Sequence, residues 1–98
     1  MATTALLDMH VRSDRAGDAP TVIEAILRDT RAFEGCLGVE VLVDVEDPTH
    51  VTVVEHWRSL DRDDAYRAWR ATPEGASGLG DLLDRPPVLS RYATQTTL

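Results

Sequence analysis

The chain is poor in several residue types, and each shortage excludes something. Its one cysteine, Cys36, cannot close an internal disulfide and cannot found a zinc site built of several thiolates. Lysine and asparagine are absent, so all ten basic residues are arginines. They are scattered, and the net charge is −7. No basic patch forms, which excludes nucleic acid and anionic membrane as partners. No apolar run approaches the roughly 20 residues that span a bilayer. The Met1–Ala5 stretch lacks the charged start and apolar run of a secretion signal, and a reducing cytoplasm is the expected compartment. With 98 residues and no repeat or linker, residues 1–98 make one domain. Such a chain buries only about 60–70% of its unfolded surface, so a subunit interface would help it.

What is present reads as six main elements. Leu7, Met9 and Val11 alternate with Asp8 and His10, a strand over 5–11 with two unlike faces. Asp18 is placed to cap a helix to Phe33, with Pro20 in its first turn. Val22, Ile23, Ile26, Leu27 and Phe33 form its apolar stripe, and Gly35 ends it. A second strand over 38–45 carries Val39, Val41, Val43 and Val45 on one side, with Glu40, Leu42 and Asp44 on the other. Asp47-Pro48 fits the first two positions of a type I turn. A third strand over 51–57 returns antiparallel, with Val51, Val53, Glu55 and Trp57 on one face and Thr52, Val54 and His56 on the other. Ser59 caps a helix over 60–71, acidic at its start and basic at its end, as the helix dipole favours. Thr72–Gly80 is a Gly- and Ser-rich stretch suited to a lid, followed by a short helix within 76–83. Pro86-Pro87 precedes a last strand over 88–96.

The order strand, helix, strand, strand, helix, strand specifies an α+β, ferredoxin-like βαββαβ fold: a four-stranded antiparallel sheet with helices on one face. The valine stripe of the second strand and the apolar side of the first imply apolar side chains on both sheet faces. A monomer would leave one such face wet, so a two-fold homodimer packed sheet to sheet is expected.

Certain segments also resemble a known family. Phe33-Glu-Gly-Cys-Leu-Gly-Val, then Asp47-Pro48, then Val54-Glu-His-Trp-Arg-Ser59, and finally Asp64-Ala-Tyr-Arg-Ala-Trp-Arg-Ala-Thr-Pro73 are similar in order and spacing to the antibiotic biosynthesis monooxygenase family. The resemblance implies a dimeric α+β barrel, with ligand held between helices and sheet. It also implies a cofactor-independent monooxygenase acting on an electron-rich aromatic or quinone-type molecule, with neither cofactor nor metal. In such chemistry the protein deprotonates a phenol or anthrone, and the resulting carbanion reduces O2. The asparagine of that branch would fall on Val53. The haem-degrading branch resembles an Asn–Trp–His set whose asparagine would fall near Asp8 and whose histidine would fall within 76–82, where none exists; that departure counts against haem degradation.

Candidate residues follow. Histidine is the side chain type best suited to take a phenol's proton near neutral pH, and His10 is the expected general base, oriented by Asp8; if the apolar side of the first strand is the dimer face, both point to the helix side. Glu55 interrupts an apolar face and must be paired or wet. It is either an arginine's salt-bridge partner or a base. Trp57, Tyr66 and Trp69 are three of only five aromatics, and together they would clamp a flat ligand. Each is also at home in a core. His56 belongs to the opposite face or the rim, and His50 to an exposed turn. Three histidines without i, i+4 spacing make no metal signature. Cys36 reads as an inert, buried thiol. Two other readings share this sequence: a non-catalytic module that binds a hydrophobic metabolite, and a structural dimer whose bulky side chains leave no pocket.

Overall fold

The computed structural model describes residues 2–95. Strands β1 (Thr3–His10), β2 (Cys36–Val43), β3 (His50–Trp57) and β4 (Val88–Ala93) form one sheet in the order β2-β3-β1-β4. All neighbouring pairs are antiparallel. Helices α1 (Ala19–Ala32), α2 (Leu60–Arg70) and the single turn α3 (Leu79–Leu82) complete the α+β, ferredoxin-like fold. The end of the last expected strand, at Thr96, lies outside the described residues. A short 3₁₀ turn at Ser13–Arg15 falls where the sequence reads only as loop. None of the helices among the described residues is long and apolar enough to cross a membrane.

Local chemistry explains most of the boundaries. The Ser59 side chain accepts from the Arg62 amide at 3.3 Å and caps α2. The His50 amide donates to the Asp47 carbonyl at 3.0 Å, closing the turn that Asp47-Pro48 opens. Gly35 stands at φ +95°, where a side chain would be strained, and it turns the chain from α1 into β2. Asp18 does not cap α1 with its side chain. Its carboxylate is engaged by Arg15 Nε at 2.9 Å instead.

Register decides which face each residue occupies. Ala5, Leu7 and Met9 of β1 stand opposite Glu55, Val53 and Val51 of β3. In β2, Val39, Val41 and Val43 stand opposite Glu55, Val53 and Val51. These residues share the face that the helices cover. Ile23 and Leu27 of α1 pack there on Met9, Val51 and Val53, and Leu82 and Leu83 close the far end. Each such buried aliphatic contributes about 1.5–3 kcal/mol. A second cluster joins Ala5, Trp57 and Tyr66 with Phe33, Cys36 and Trp69. The β1 and β2 apolar stripes therefore lie on one face, not on two. The other face is open and mixed, carrying Asp8, Thr52, His50 and His56 beside Leu42, Val54, Val88 and Tyr92.

Candidate functional site

A cavity of about 200 Å³ lies between α1, α2 and the sheet. Its walls are largely apolar: Leu7 and Met9 of β1, Val53 of β3, Ile23, Ile26 and Leu27 of α1, and Leu79 and Pro87. Ser77 and Leu79 bring the Gly-rich stretch over it. The reading without a pocket expects bulky side chains to fill this space, and they do not fill it.

Glu55 is the polar centre of this cavity. Alternation along β3 carries its side chain under the helices, where it is 2% exposed. Arg67 Nη2 donates to Glu55 Oε1 at 2.6 Å, and Trp57 Nε1 donates to the same oxygen at 3.0 Å. Oε2 accepts no bond among the described residues, yet it is not sealed from the cavity that Glu55 lines. The carboxylate thus has one oxygen fixed and one available. Arg67 is held from behind by Asp63, one turn earlier on α2. Its Nε lies 2.9 Å from Asp63 Oδ1, an approach too oblique for a hydrogen bond. Asp63, fully buried, also lies 3.5 Å from Arg91 Nη1 of β4.

The second polar wall is Tyr66. Its ring packs 5.0 Å from that of Trp57, centroid to centroid. Arg70 Nε donates to the Tyr66 hydroxyl at 2.8 Å, and Thr30 Oγ1 lies 2.7 Å from it. Thr30 gives its own proton to the Ile26 carbonyl at 3.2 Å, so the Tyr66 hydroxyl donates to Thr30. Arg70 also reaches the carbonyls of Ile26 and Gly75, at 2.8 and 3.2 Å. Its charge is consumed in tying α1, α2 and the lid stretch together.

The structure separates the expected site residues into two groups. Glu55 and Tyr66 line the cavity. Trp57 and Trp69 do not; Trp57 is fully buried behind Glu55, and Trp69 packs on Phe33 and Tyr66. The aromatic set is a wall with one face on the cavity, not a clamp on both sides of a ligand. Asp8 and His10 lie on the open face of the sheet, across it from the cavity. The expectation that they point to the helices fails because the apolar side of β1 packs under α1. His50 is no idle turn residue. It opens β3 directly opposite His10 and sits between two carboxylates, with Nε2 2.6 Å from Asp8 and Nδ1 2.9 Å from Asp44. Hydrogen bonds to Asp44 and then Asp8 raise its pKa above the usual histidine value. The bond to His50, followed by that from Thr52, lowers the pKa of Asp8. His50 likewise holds Asp44 below the usual range. His56 pairs with Glu40 at 3.0 Å on the same face. Burial pushes the Cys36 thiol up, which suits an inert residue.

Sequence reasoning missed Arg67 as the partner of Glu55, and Arg70 with Thr30 as supports of Tyr66. The Asp63–Arg67 i, i+4 spacing was the available signal for the first. The second pairing joins residues forty apart, and only the fold brings them together.

This geometry has relatives. The sequence profile of the family described as antibiotic biosynthesis monooxygenase matches residues 3–76. None of the curated proteins matches the chain in sequence. Among solved structures, Rv0793 from Mycobacterium tuberculosis is similar at 20% identity and a TM-score of 0.79, over 97% of this chain and 96% of that one. A conserved protein from Methanosarcina mazei Go1 reaches a TM-score of 0.81 at 18% identity, over 97% and 94%. A crystal structure of an antibiotic biosynthesis monooxygenase gives 0.79 at 14% identity, over 95% and 98%. At these identities the structural likenesses speak for the fold alone, and the profile match carries the family. The chain belongs to the antibiotic biosynthesis monooxygenase family.

Proposed function

We propose that this protein is a cofactor-independent monooxygenase acting on a small, electron-rich aromatic or quinone-type molecule, with Glu55 as the group that takes the substrate proton. The observation that carries this is the Glu55 carboxylate. It is nearly fully buried at the centre of an apolar cavity, with Oε1 held by Trp57 and Arg67 and Oε2 unengaged. Oε2 opens on the cavity, and a phenolic or enolic hydroxyl is a natural donor to it. At about 200 Å³ the cavity falls below the roughly 300–1,000 Å³ of common ligand pockets. A hydroquinone- or naphthol-sized substrate suits it better than a tricyclic anthrone, unless the Ser77–Leu79 segment moves.

The chemistry is set by the substrate. Glu55 Oε2 removes the O–H proton, and the phenolate places its electron density on a ring carbon, ortho or para, that carries hydrogen. That carbon bonds to O2 with electrons the substrate supplies, and Glu55 returns the proton to the resulting hydroperoxide. Cleavage of the O–O bond, with loss of the ring C–H proton, releases water and leaves a quinone. One oxygen atom enters the product and the other becomes water, so phenol and O2 balance quinone and water. Arg67 lies where it can oppose the negative charge that develops. Trp57 positions Glu55, and Tyr66 forms a wall against the ring. Asp8 and His10 have no part in these steps.

The homodimer is also proposed. Its support is the family resemblance together with Leu42, Val88 and Tyr92, each about half exposed on the open face. Light scattering should give twice the 10.8 kDa of one chain, and the single-chain mass would refute it.

Oxygen uptake tests the oxygenase reading. Protein freed of metal and flavin is offered a panel of hydroquinones, naphthols and anthrones. Uptake that requires the protein and is lost in Glu55→Gln supports it. A ligand that binds tightly without uptake favours the binding-module reading in its place.

A further inference from the structure

The open face of the sheet carries a second constellation, independent of the cavity. One ligand atom from each of Asp8, His10 and His50 can be chosen so that all three lie within 4.8 Å of one another. Strand register creates the group. Asp8 and His10 are two apart on β1 and share a face, and His50 of β3 is paired directly with His10. The two imidazoles are parallel, 3° between planes, with centroids 4.6 Å apart. Their Nε2 atoms flank a single carboxylate: His50 Nε2 is 2.6 Å from Asp8 Oδ1, and His10 Nε2 is 3.7 Å from Asp8 Oδ2.

We propose that Asp8, His10 and His50 form a site for a divalent transition-metal ion, with zinc as the type case. Two imidazole nitrogens and one carboxylate oxygen are a ligand set such ions take, with the remaining position left for water. The partners behind the ligands support the assignment. The Asp44 carboxylate lies 2.9 Å from His50 Nδ1, the histidine–carboxylate pairing that fixes the tautomer leaving Nε2 free for a metal. Thr52 Oγ1 donates to Asp8 Oδ1 at 2.9 Å and orients that carboxylate. The three side chains are each roughly a third exposed. Those exposures are of the single chain, and rotation of the side chains can close the remaining distance. Binding takes the place of the present His50 Nε2–Asp8 Oδ1 contact, and it ties β1 to β3 at the end of the sheet. This assignment does not rest on the oxygenase reading, because the cavity lies on the other face.

The test uses the full chain, free of affinity tags and treated with chelator. Zinc is titrated by calorimetry, and cobalt(II) by its visible absorption. One ion per chain is expected, with a cobalt spectrum showing nitrogen ligation. His10→Ala and His50→Ala, with circular dichroism like that of the parent, abolish saturable binding. Asp44→Asn keeps the ligands and weakens binding by about 10–100-fold. His56→Ala, a histidine on the same face but outside the group, leaves binding unchanged. The proposal is overturned if the parent shows no saturable binding. It is equally overturned if binding survives His50→Ala, or disappears in His56→Ala while the fold is retained.

Discussion

The two faces of the sheet carry contacts of equal length and unequal consequence. Arg67 meets Glu55 at 2.6 Å on the covered face, and His50 meets Asp8 at 2.6 Å on the open one. Glu55 is 2% and Arg67 24% exposed, whereas Asp8 and His50 are 38% and 30% exposed, so the contrast lies chiefly in the two carboxylates. The dielectric around the first pair is low, so its attraction is strong, and so is the penalty for separating it. In the single chain, water screens the second pair more, and it stays more adjustable. The covered face therefore suits a fixed acid–base group in a largely apolar cavity. The open face suits titration and ion binding. Distance alone would rank the two pairs equal; burial separates them.

That contrast can be broken or sharpened by substitution. The largest effect is expected from Glu55→Gln. It keeps shape and an acceptor for Trp57 and Arg67 but cannot take a proton, and substrate-dependent oxygen uptake should fall by about 10²–10⁴-fold. Uptake at the parental rate would remove Glu55 from the chemistry. Trp57→Ala comes next. It empties a fully buried site and strips Glu55 of a donor, at an expected cost of about 3–5 kcal/mol in urea unfolding. Tyr66→Phe follows. Thr30 and Arg70 would each lose a buried partner, and about 1–3 kcal/mol should be lost by the same measurement. A cost near zero would mean that water restores those bonds.

On the open face the effects are smaller and depend on pH. In metal-free protein, His50 has a raised folded pKa. Its contribution to stability is complete below the ordinary histidine value of 6.5 and disappears as pH rises through the folded value. Asp8 and Asp44 are lowered, so their contributions hold above 3.8 and disappear as pH falls through their folded values. The stability gap between parent and His50→Gln should be widest between about pH 4 and 6.5 and should narrow toward pH 9. Urea midpoints across that range check it. A gap that widened with pH would contradict the cluster.

Much of the fold was legible from local pattern. The alternation in Val51–Trp57 and the 3.6-residue stripe of Ile23 and Leu27 need only neighbours in sequence. Ser59 and Asp47-Pro48 mark their cap and turn by local chemistry. The site was legible in part. Glu55 stood out because a carboxylate on an apolar face requires an explanation, and an arginine supplies one. The error lay with His10 and Asp8. Period-2 alternation says that Asp8 and His10 oppose Leu7 and Met9, but not which pair meets the helices. Only the register with β3 and the packing of α1 settle that. The two apolar stripes were assigned to opposite faces for the same reason, when both belong to one. The Asp8–His10–His50 group leaves no signature along the sequence, because strand pairing builds it across two strands.

The small-molecule chemistry is assigned to the covered face and ion binding to the open one. The most direct test is amide and methyl NMR of the protein titrated with a naphthol-type ligand, without metal. The account predicts that shifts concentrate on Glu55, Tyr66, Leu27 and Leu79, while Asp8, His10 and His50 stay unmoved. Shifts concentrated on Asp8, His10 and His50, with Glu55 and Tyr66 silent, would contradict it.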